Sequence, residues 1–382
     1  MTSTCPTAEG GSLSGHSFAV KDNIDVEGWA TGCGNPEWAR RQGPAGQSAA
    51  VVTMLLNAGA VFRGKTLTDE FAWSATGNNP HYGAPANPLA PERFTGGSSC
   101  GSASVVAQGL VDLALGTDTG GSVRIPAAFT GLFGMRPTYG SIPINGVTPL
   151  APSLDTVGFM AKTAQILRDT GSVLLPCGGI KKLPNLLIAE DAFNLTSARH
   201  RMVLEPWVAS LSRYVCSVRT HLLVPAEGGL QPLASVFQVL QAAEIKESLL
   251  PKLSGMDSFL GEGLRKRIAY AGTITDADAG LARRTILDYM LRIVEHVGDD
   301  TVVVLPTTPD VAPLRTSPED MLAAYRSKMI ELSCIASITG MPQVTMPFAV
   351  VDGAPFGLSI MGPRGSDLAL LELAWMLQQG TS

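Results

Sequence analysis

Apolar residues recur along the chain in two rhythms. Runs of buried-strand type are Ser17-Phe18-Ala19-Val20-Lys21, ending in a charge before the turn-rich Asp22-Asn23 and Ile24-Asp25-Val26, then Leu186-Leu187-Ile188 and Thr301-Val302-Val303-Val304-Leu305. Helical spacing of Val51, Val52, Leu55 and Leu56 predicts a helix from about Gln47 to Ala58, stopped by Gly59, with a strand over Ala60 to Phe62. Small and apolar residues predict a packed helix over Ala103 to Gln108, ended at Gly109. A buried strand over Val111 to Leu115 then leads into Thr117-Asp118-Thr119-Gly120-Gly121. Further helices are expected around Ser235 to Leu250 and Leu281 to Val297. Strands over Gln343 to Val350 and Pro355 to Met361 precede a closing helix over Asp367 to Gln378. Alternation of this kind predicts an α/β protein with a mixed sheet.

Composition narrows the function classes. With 382 residues, 45% of them hydrophobic, the chain can bury a substantial core as one large domain or two intermediate ones. The stretch from Leu183 to Arg315 carries more charge and fewer glycines than what precedes it, and reads as a covering or substrate-shaping region. A net charge of -5, with Lys and Arg dispersed, offers no basic surface for nucleic acid. The first sixteen residues have neither a basic nor an apolar signal region, and no apolar run approaches the roughly 20 residues needed to span a bilayer, so no membrane partner is expected. Cys5, Cys33, Cys100, Cys177, Cys216 and Cys334 form no CxxC pair, which reads as a cytoplasmic protein with reduced thiols.

Gly59-Ala60-Val61-Phe62-Arg63-Gly64-Lys65-Thr66 fits a nucleotide-phosphate loop letter for letter. Its context is reversed. A phosphate loop follows a strand and opens a helix, whereas this stretch follows a helix and has a strand-like interior, so a nucleotide-binding protein stays a distant alternative.

The chemistry concentrates in two glycine-flanked serines, Gly96-Gly97-Ser98 and Gly120-Gly121-Ser122. Breaking an amide needs a nucleophile, a proton relay and donors for a tetrahedral oxyanion. The N–H groups of Thr119, Gly120, Gly121 and Ser122 can converge on one developing charge. His16, His81, His200, His221 and His296 sit in stretches without other catalytic features, leaving Lys21 as the candidate base: an apolar strand delivers it inward, and burial lowers a lysine's pKa. Taken singly, Lys21 also reads as a strand-end lysine paired with Asp22 or Asp25, and each Gly-Gly-Ser as a turn.

Together these residues resemble the amidase signature family. The resemblance rests on Phe18 to Val26, on Gly96 to Ser99, on Gly116 to Pro126 and on the interval from Ser98 to Ser122, with weaker support from Asp69 to Ala72, Asp155 to Gly158 and Pro355 to Gly362. It implies a large mixed β-sheet core covered on both faces by α-helices, one domain over residues 1–382 with 183–315 as the covering region. It also implies a Ser-cisSer-Lys triad in which Ser122 attacks, Ser98 relays protons behind a cis peptide and Lys21 is the base. Ser99 supports the relay, while Asp118 and Arg124 brace the loop. No cofactor and no metal are implied, and a homodimer is. Phe71, Trp73, Tyr139 and Ile144, near the motifs in sequence, are candidate pocket walls or core. The expected reaction converts a small-molecule carboxamide to carboxylate and ammonia through an acyl-Ser122 intermediate. The alternative within the family is the glutaminase component of a tRNA-dependent amidotransferase, disfavoured by a start roughly 20 residues before Lys21. That start, with Gly32 to Trp38 and Asn78 to Gly83, is similar to indole-3-acetamide amidases. Cys100 departs from the family's usual Ser or Gly and is expected to be a small buried residue.

Overall fold

The computed structural model describes residues 10–224 and 229–380; Cys5 and the first nine positions of the leading stretch lie outside them. Ten strands form one sheet: β1 Ser17–Lys21, β2 Val61–Thr66, β3 Leu113–Asp118, β4 Phe133–Arg136, β5 Thr156–Ala161, β6 Asn185–Ala189, β7 Ser217–His221, β8 Thr301–Pro306, β9 Gln343–Val351 and β10 Ala354–Met361. Their order is β2-β1-β3-β5-β4-β9-β10-β8-β6-β7. The flanks β2-β1-β3 and β8-β6-β7 are parallel, and the centre from β3 to β8 is antiparallel.

Helices cover both faces. In chain order they are α1 Pro36–Gln42, α2 Ala50–Asn57, α3 Cys100–Ala107, α4 Arg124–Thr130, α5 Ala164–Leu174, α6 Glu190–Asn194, α7 Ala198–Leu211, α8 Leu230–Ser248, α9 Glu262–Thr273, α10 Asp276–Val297, α11 Glu319–Thr339 and α12 Asp367–Gln379. Strand alternation divides them. Phe18, Val20, Val302 and Val304 pack with Leu55 of α2, Leu167 of α5 and Leu370 of α12. On the opposite face Ala19 and Ala114 meet Ala103 and Val106 of α3, while Val303 and Leu305 meet Phe237 of α8 and Ile335 of α11. Residues 183–315 supply the strands β6, β7 and β8 as well as α8 to α10.

Several boundaries differ from the sequence expectation, for local reasons. The helix expected from Gln47 begins at Ala50, because the Ser48 hydroxyl accepts from Glu27 N–H and Ala49 is extended. The strand expected over Ala60 to Phe62 runs on to Thr66, because β1 pairs with it through Lys21. The strand expected over Val111 to Leu115 lies at Leu113–Asp118: Asp112 is held outside by Ser17, and β5 pairs with β3 as far as Asp118. The packed helix starts at Cys100, directly behind the serine loop.

The phosphate-loop lookalike is therefore strand. Its Lys65 amine contacts Asp22 Oδ1 at 3.1 Å, the Ala30 carbonyl at 3.0 Å and the Thr31 hydroxyl at 2.8 Å, which leaves no free cation for a phosphate.

Asp118, at the end of β3, ties four elements together. Its carboxylate accepts from Arg124 Nε at 3.0 Å and Nη2 at 2.8 Å, and from Arg136 Nη1 at 3.1 Å. Arg124 reaches on to the Ser333 carbonyl and Gln343 Oε1, while Arg136 reaches the carbonyls of Asp118 and Leu154. All three charged residues are at most 1% exposed. Removing one partner of a buried charge cluster leaves the others unmatched, at a cost of about 3–5 kcal/mol. Asp118→Ala is expected to lower the unfolding free energy by that amount in urea titration; a loss under about 1 kcal/mol would mean that this cluster does not hold the fold.

Candidate active site

The site forms where β1, β3 and the starts of α3 and α4 converge. Alternation along β1 places Lys21 on the same face as Ala19, toward α3, and the residue is fully buried. Its amine lies 2.8 Å from Ser98 Oγ and 2.8 Å from Thr117 Oγ1. Asn23 Nδ2 donates to the same threonine oxygen at 3.1 Å. Neither Asp22 nor Asp25 pairs with Lys21: Asp22 accepts from Lys65, Gly32 and Gly34, and Asp25 from Thr31. Desolvation, partly offset by Cys100, Asp69 and Asp118 at longer range, lowers the Lys21 pKa to about 8.

Ser98 follows a cis peptide bond from Gly97. Its carbonyl accepts from the Thr68 hydroxyl at 3.0 Å and from Asp69 N–H at 3.2 Å. A Cβ at Gly97 would fall 2.2 Å from Asp69 Oδ2, so only glycine fits there. Ser99 N–H donates to the Ser122 carbonyl at 3.1 Å, and Ser99 Oγ to the Thr117 carbonyl at 3.4 Å, which couples the two serine loops through backbone.

Ser122 is 8% exposed and borders a cavity of about 300 Å³. Its hydroxyl makes no hydrogen bond among the described residues, nor do the N–H groups of Thr119, Gly120 and Ser122 itself. Gly121, expected among the oxyanion donors, is a correction: its N–H is spent on Asp118 Oδ1 at 2.8 Å. The glycine is required by its φ of +108° and by Ile125 Cδ1, 2.7 Å from where a Cβ would sit. The Gly120 carbonyl accepts from Ser333 Oγ at 2.7 Å, so α11 fixes the loop from behind.

Asp118 and Arg124 brace this loop. Against the upward push of burial, the charges and hydrogen bonds of Arg124 and Arg136 hold the Asp118 carboxyl far below the usual carboxylate range. The Thr119 hydroxyl donates to Asp155 Oδ1 at 2.6 Å, and the N–H groups of Leu150 and Ala151 donate to Oδ2. Burial still pushes the Asp155 carboxyl up to about 6.

Of the expected pocket walls, only Trp73 lines the cavity. Phe71 does not reach the cavity: its ring lies edge-on to Trp38 at 5.3 Å, in the apolar cluster that also holds Trp73 and Leu150. Tyr139 is exposed and donates to the Pro152 carbonyl, and Ile144 is exposed beside a different, smaller cavity. The walls that sequence proximity missed are Leu150, Phe237 and Gln241 of α8, Arg267 of α9 and Ile330 of α11. Their helices carry a periodic signal, but nothing in one sequence says which face meets the serines. Cys100 is buried with its thiol on the Leu67 carbonyl, and burial raises its pKa well above the ordinary value. Among the described residues, no group of three or more His, Cys, Asp or Glu side chains could hold a metal ion.

Comparison with known proteins bears on the family and the fold. A profile of the Amidase family matches residues 2–176. Amidase 1 of Arabidopsis thaliana is 36% identical over 95% of this chain and 92% of its own length. The A-type component of the glutamyl-tRNA(Gln) amidotransferase of Methanospirillum hungatei is 32% identical over 97% of this chain and 94% of its own. A crystal structure described as an amidase superposes with a TM-score of 0.84 at 29% identity, covering 97% of this chain and 85% of that one. With its sheet, its serine loops and its relatives in accord, the chain belongs to the amidase signature family, enzymes that act on amides.

Proposed function

We propose that the protein hydrolyses the carboxamide of a small molecule to a carboxylate and ammonia, through an ester on Ser122. The observation that carries this reading is the buried contact of 2.8 Å between Lys21 Nζ and Ser98 Oγ, with no carboxylate paired to the lysine, next to a serine that opens on the cavity. A lysine held without a counter-ion can exist as the neutral amine that a proton relay needs.

In this mechanism neutral Lys21 accepts the Ser98 proton as Ser98 takes that of Ser122. Ser122 Oγ adds to the carbonyl carbon, and the N–H groups of Thr119, Gly120 and Ser122 meet the oxyanion without having to break bonds elsewhere. Collapse of the tetrahedral adduct breaks the C–N bond. The relay returns a proton to the departing nitrogen, so that ammonia leaves and the acyl group stays on Ser122. Water then adds by the same path, releasing the carboxylate and restoring both hydroxyls. Ser99, Asp118 and Arg124 position the loops and transfer no proton.

Residues 183–315 act in this reading as the substrate-shaping part of a single domain, since α8 and α9 give Phe237, Gln241 and Arg267 to the cavity wall. The cytoplasm is the compartment proposed: among the described residues no helix is long and apolar enough to cross a membrane, and Cys33, Cys100, Cys177, Cys216 and Cys334 are free.

Ser122→Ala and Lys21→Ala are each expected to lower kcat on simple primary amides by roughly 10⁴-fold or more, since members of a proton relay act as a unit. A Ser122→Ala protein keeping more than a few per cent of activity would sink the assignment. Because Lys21 must be unprotonated to act and burial brings its pKa to about 8, kcat/KM should fall about tenfold per pH unit below that value and level off above it. A profile flat between about pH 6 and pH 8.5 would remove Lys21 as the base.

A further inference from the structure

Among the described residues, the partly buried Arg267 differs from the fully buried Arg124 and Arg136 in having no hydrogen-bond acceptor for any of its guanidinium donors. Arg124 spends its guanidinium donors on Asp118, the Ser333 carbonyl and Gln343, and Arg136 spends its Nη donors on Asp118 and on carbonyls, its Nε alone lacking a partner. Arg267 of α9 lines the same cavity as Ser122, yet among the described residues it donates no hydrogen bond and forms no ion pair. Its Nε is fully enclosed without a partner, and its guanidinium lies 5.9 Å from the centroid of the Trp73 ring. The acids in electrostatic range are Asp69, Glu70 and Glu319. Glu70 is committed to Asn35, His81 and Gly261 N–H, and Glu319 to Arg326. Asp69 Oδ2 accepts from Gly77 N–H, and its Oδ1, also unpartnered, is not in ion-pair contact with Arg267. The result is an uncapped cation beside the apolar Trp73, Leu150, Phe237 and Ile330, with Arg326 on the same wall already paired to Glu319, and such a group favours an anion.

We infer that the acyl group of the substrate carries a carboxylate and that Arg267 binds it while the carboxamide sits at Ser122; the inference rests on the amidase reading above. A guanidinium presents paired donors in one plane, which suits a carboxylate better than a hydroxyl or a second amide. Gln238 and Gln241, on the same cavity wall, add neutral donors. The substrate class is thus a monoamide of a dicarboxylic acid, small enough for about 300 Å³. Arg267 is a specificity residue and takes no part in bond making.

The test separates binding from turnover. Ser122→Ala protein is titrated calorimetrically with succinamate, glutaramate and adipamate, and with the three corresponding diamides. The expected result is that the best monoamide binds at least about tenfold tighter than its diamide. The preference should vanish in Ser122→Ala/Arg267→Gln and survive in part in Ser122→Ala/Arg267→Lys, both checked for a wild-type-like thermal melt. Equal affinity for acid and diamide, a preference that persists in the Gln variant, or no binding of any of the three acids at millimolar concentration would each overturn the inference. Turnover by the protein with Ser122 intact is scored separately: an acid that binds through Arg267 and is not cleaved counts against the amidase reading alone. Neutral amides cleaved without dependence on Arg267 count against this inference alone.

Discussion

A carboxylate sealed from water sets the geometry around Ser122. Asp118 is fully buried, and a charge in that position persists only if every lone pair is answered. Two arginines and the N–H groups of Gly121 and Val123 answer it. The donors come from three places: the two N–H groups from the turn after β3, one arginine from the first residue of α4, the other from the end of β4. Satisfying one charge therefore fixes the path of the chain from Thr117 to Arg124, and with it the direction of the N–H groups left over. Donors held in this way need no reorganisation when negative charge develops in front of them.

Lys21 is treated in the opposite manner. It lies on the neighbouring strand, equally buried, and receives only neutral oxygen partners. The same enclosed region thus stabilises one charge strongly and withholds a counter-ion from another, so that both groups lie below their ordinary pKa ranges for contrasting reasons. The aspartate stays a fixed structural anion while the lysine titrates close to neutrality.

Much of this was legible in the chain because the chemistry is local. Phe18 to Val20 is an apolar run that ends in Lys21, and Gly96-Gly97-Ser98 and Gly120-Gly121-Ser122 stand 24 residues apart in one stretch. The end of β3 was not legible, since Gly116, Thr117 and Asp118 read as a turn. Gly116 is small because a Cβ there would sit 2.6 Å from Ser99 Oγ, a contact that only the assembled loops create. The pocket was read least well. Tyr139 and Ile144 lie close to the motif in sequence but in loops that face solvent, whereas Phe237, Arg267 and Ile330 arrive from helices more than a hundred residues away. Nearness along the chain identifies a catalytic loop; substrate walls depend on which helix faces cross it in space.

The strand order carries an implication for how the molecule is made. β9 and β10 are last in sequence yet stand in the middle of the sheet, between β4 and β8. During vectorial synthesis the earlier strands emerge as two separate groups, β2-β1-β3-β5-β4 and β8-β6-β7, each with an open inner edge that only the final hairpin can fill. The serine loop is among the early residues, but Gln343, which receives Arg124, opens that hairpin, and Ser333 lies just before it. On the ribosome the chain is therefore two half-sheets with an unbraced Ser122 loop until residues 343–361 have left the tunnel.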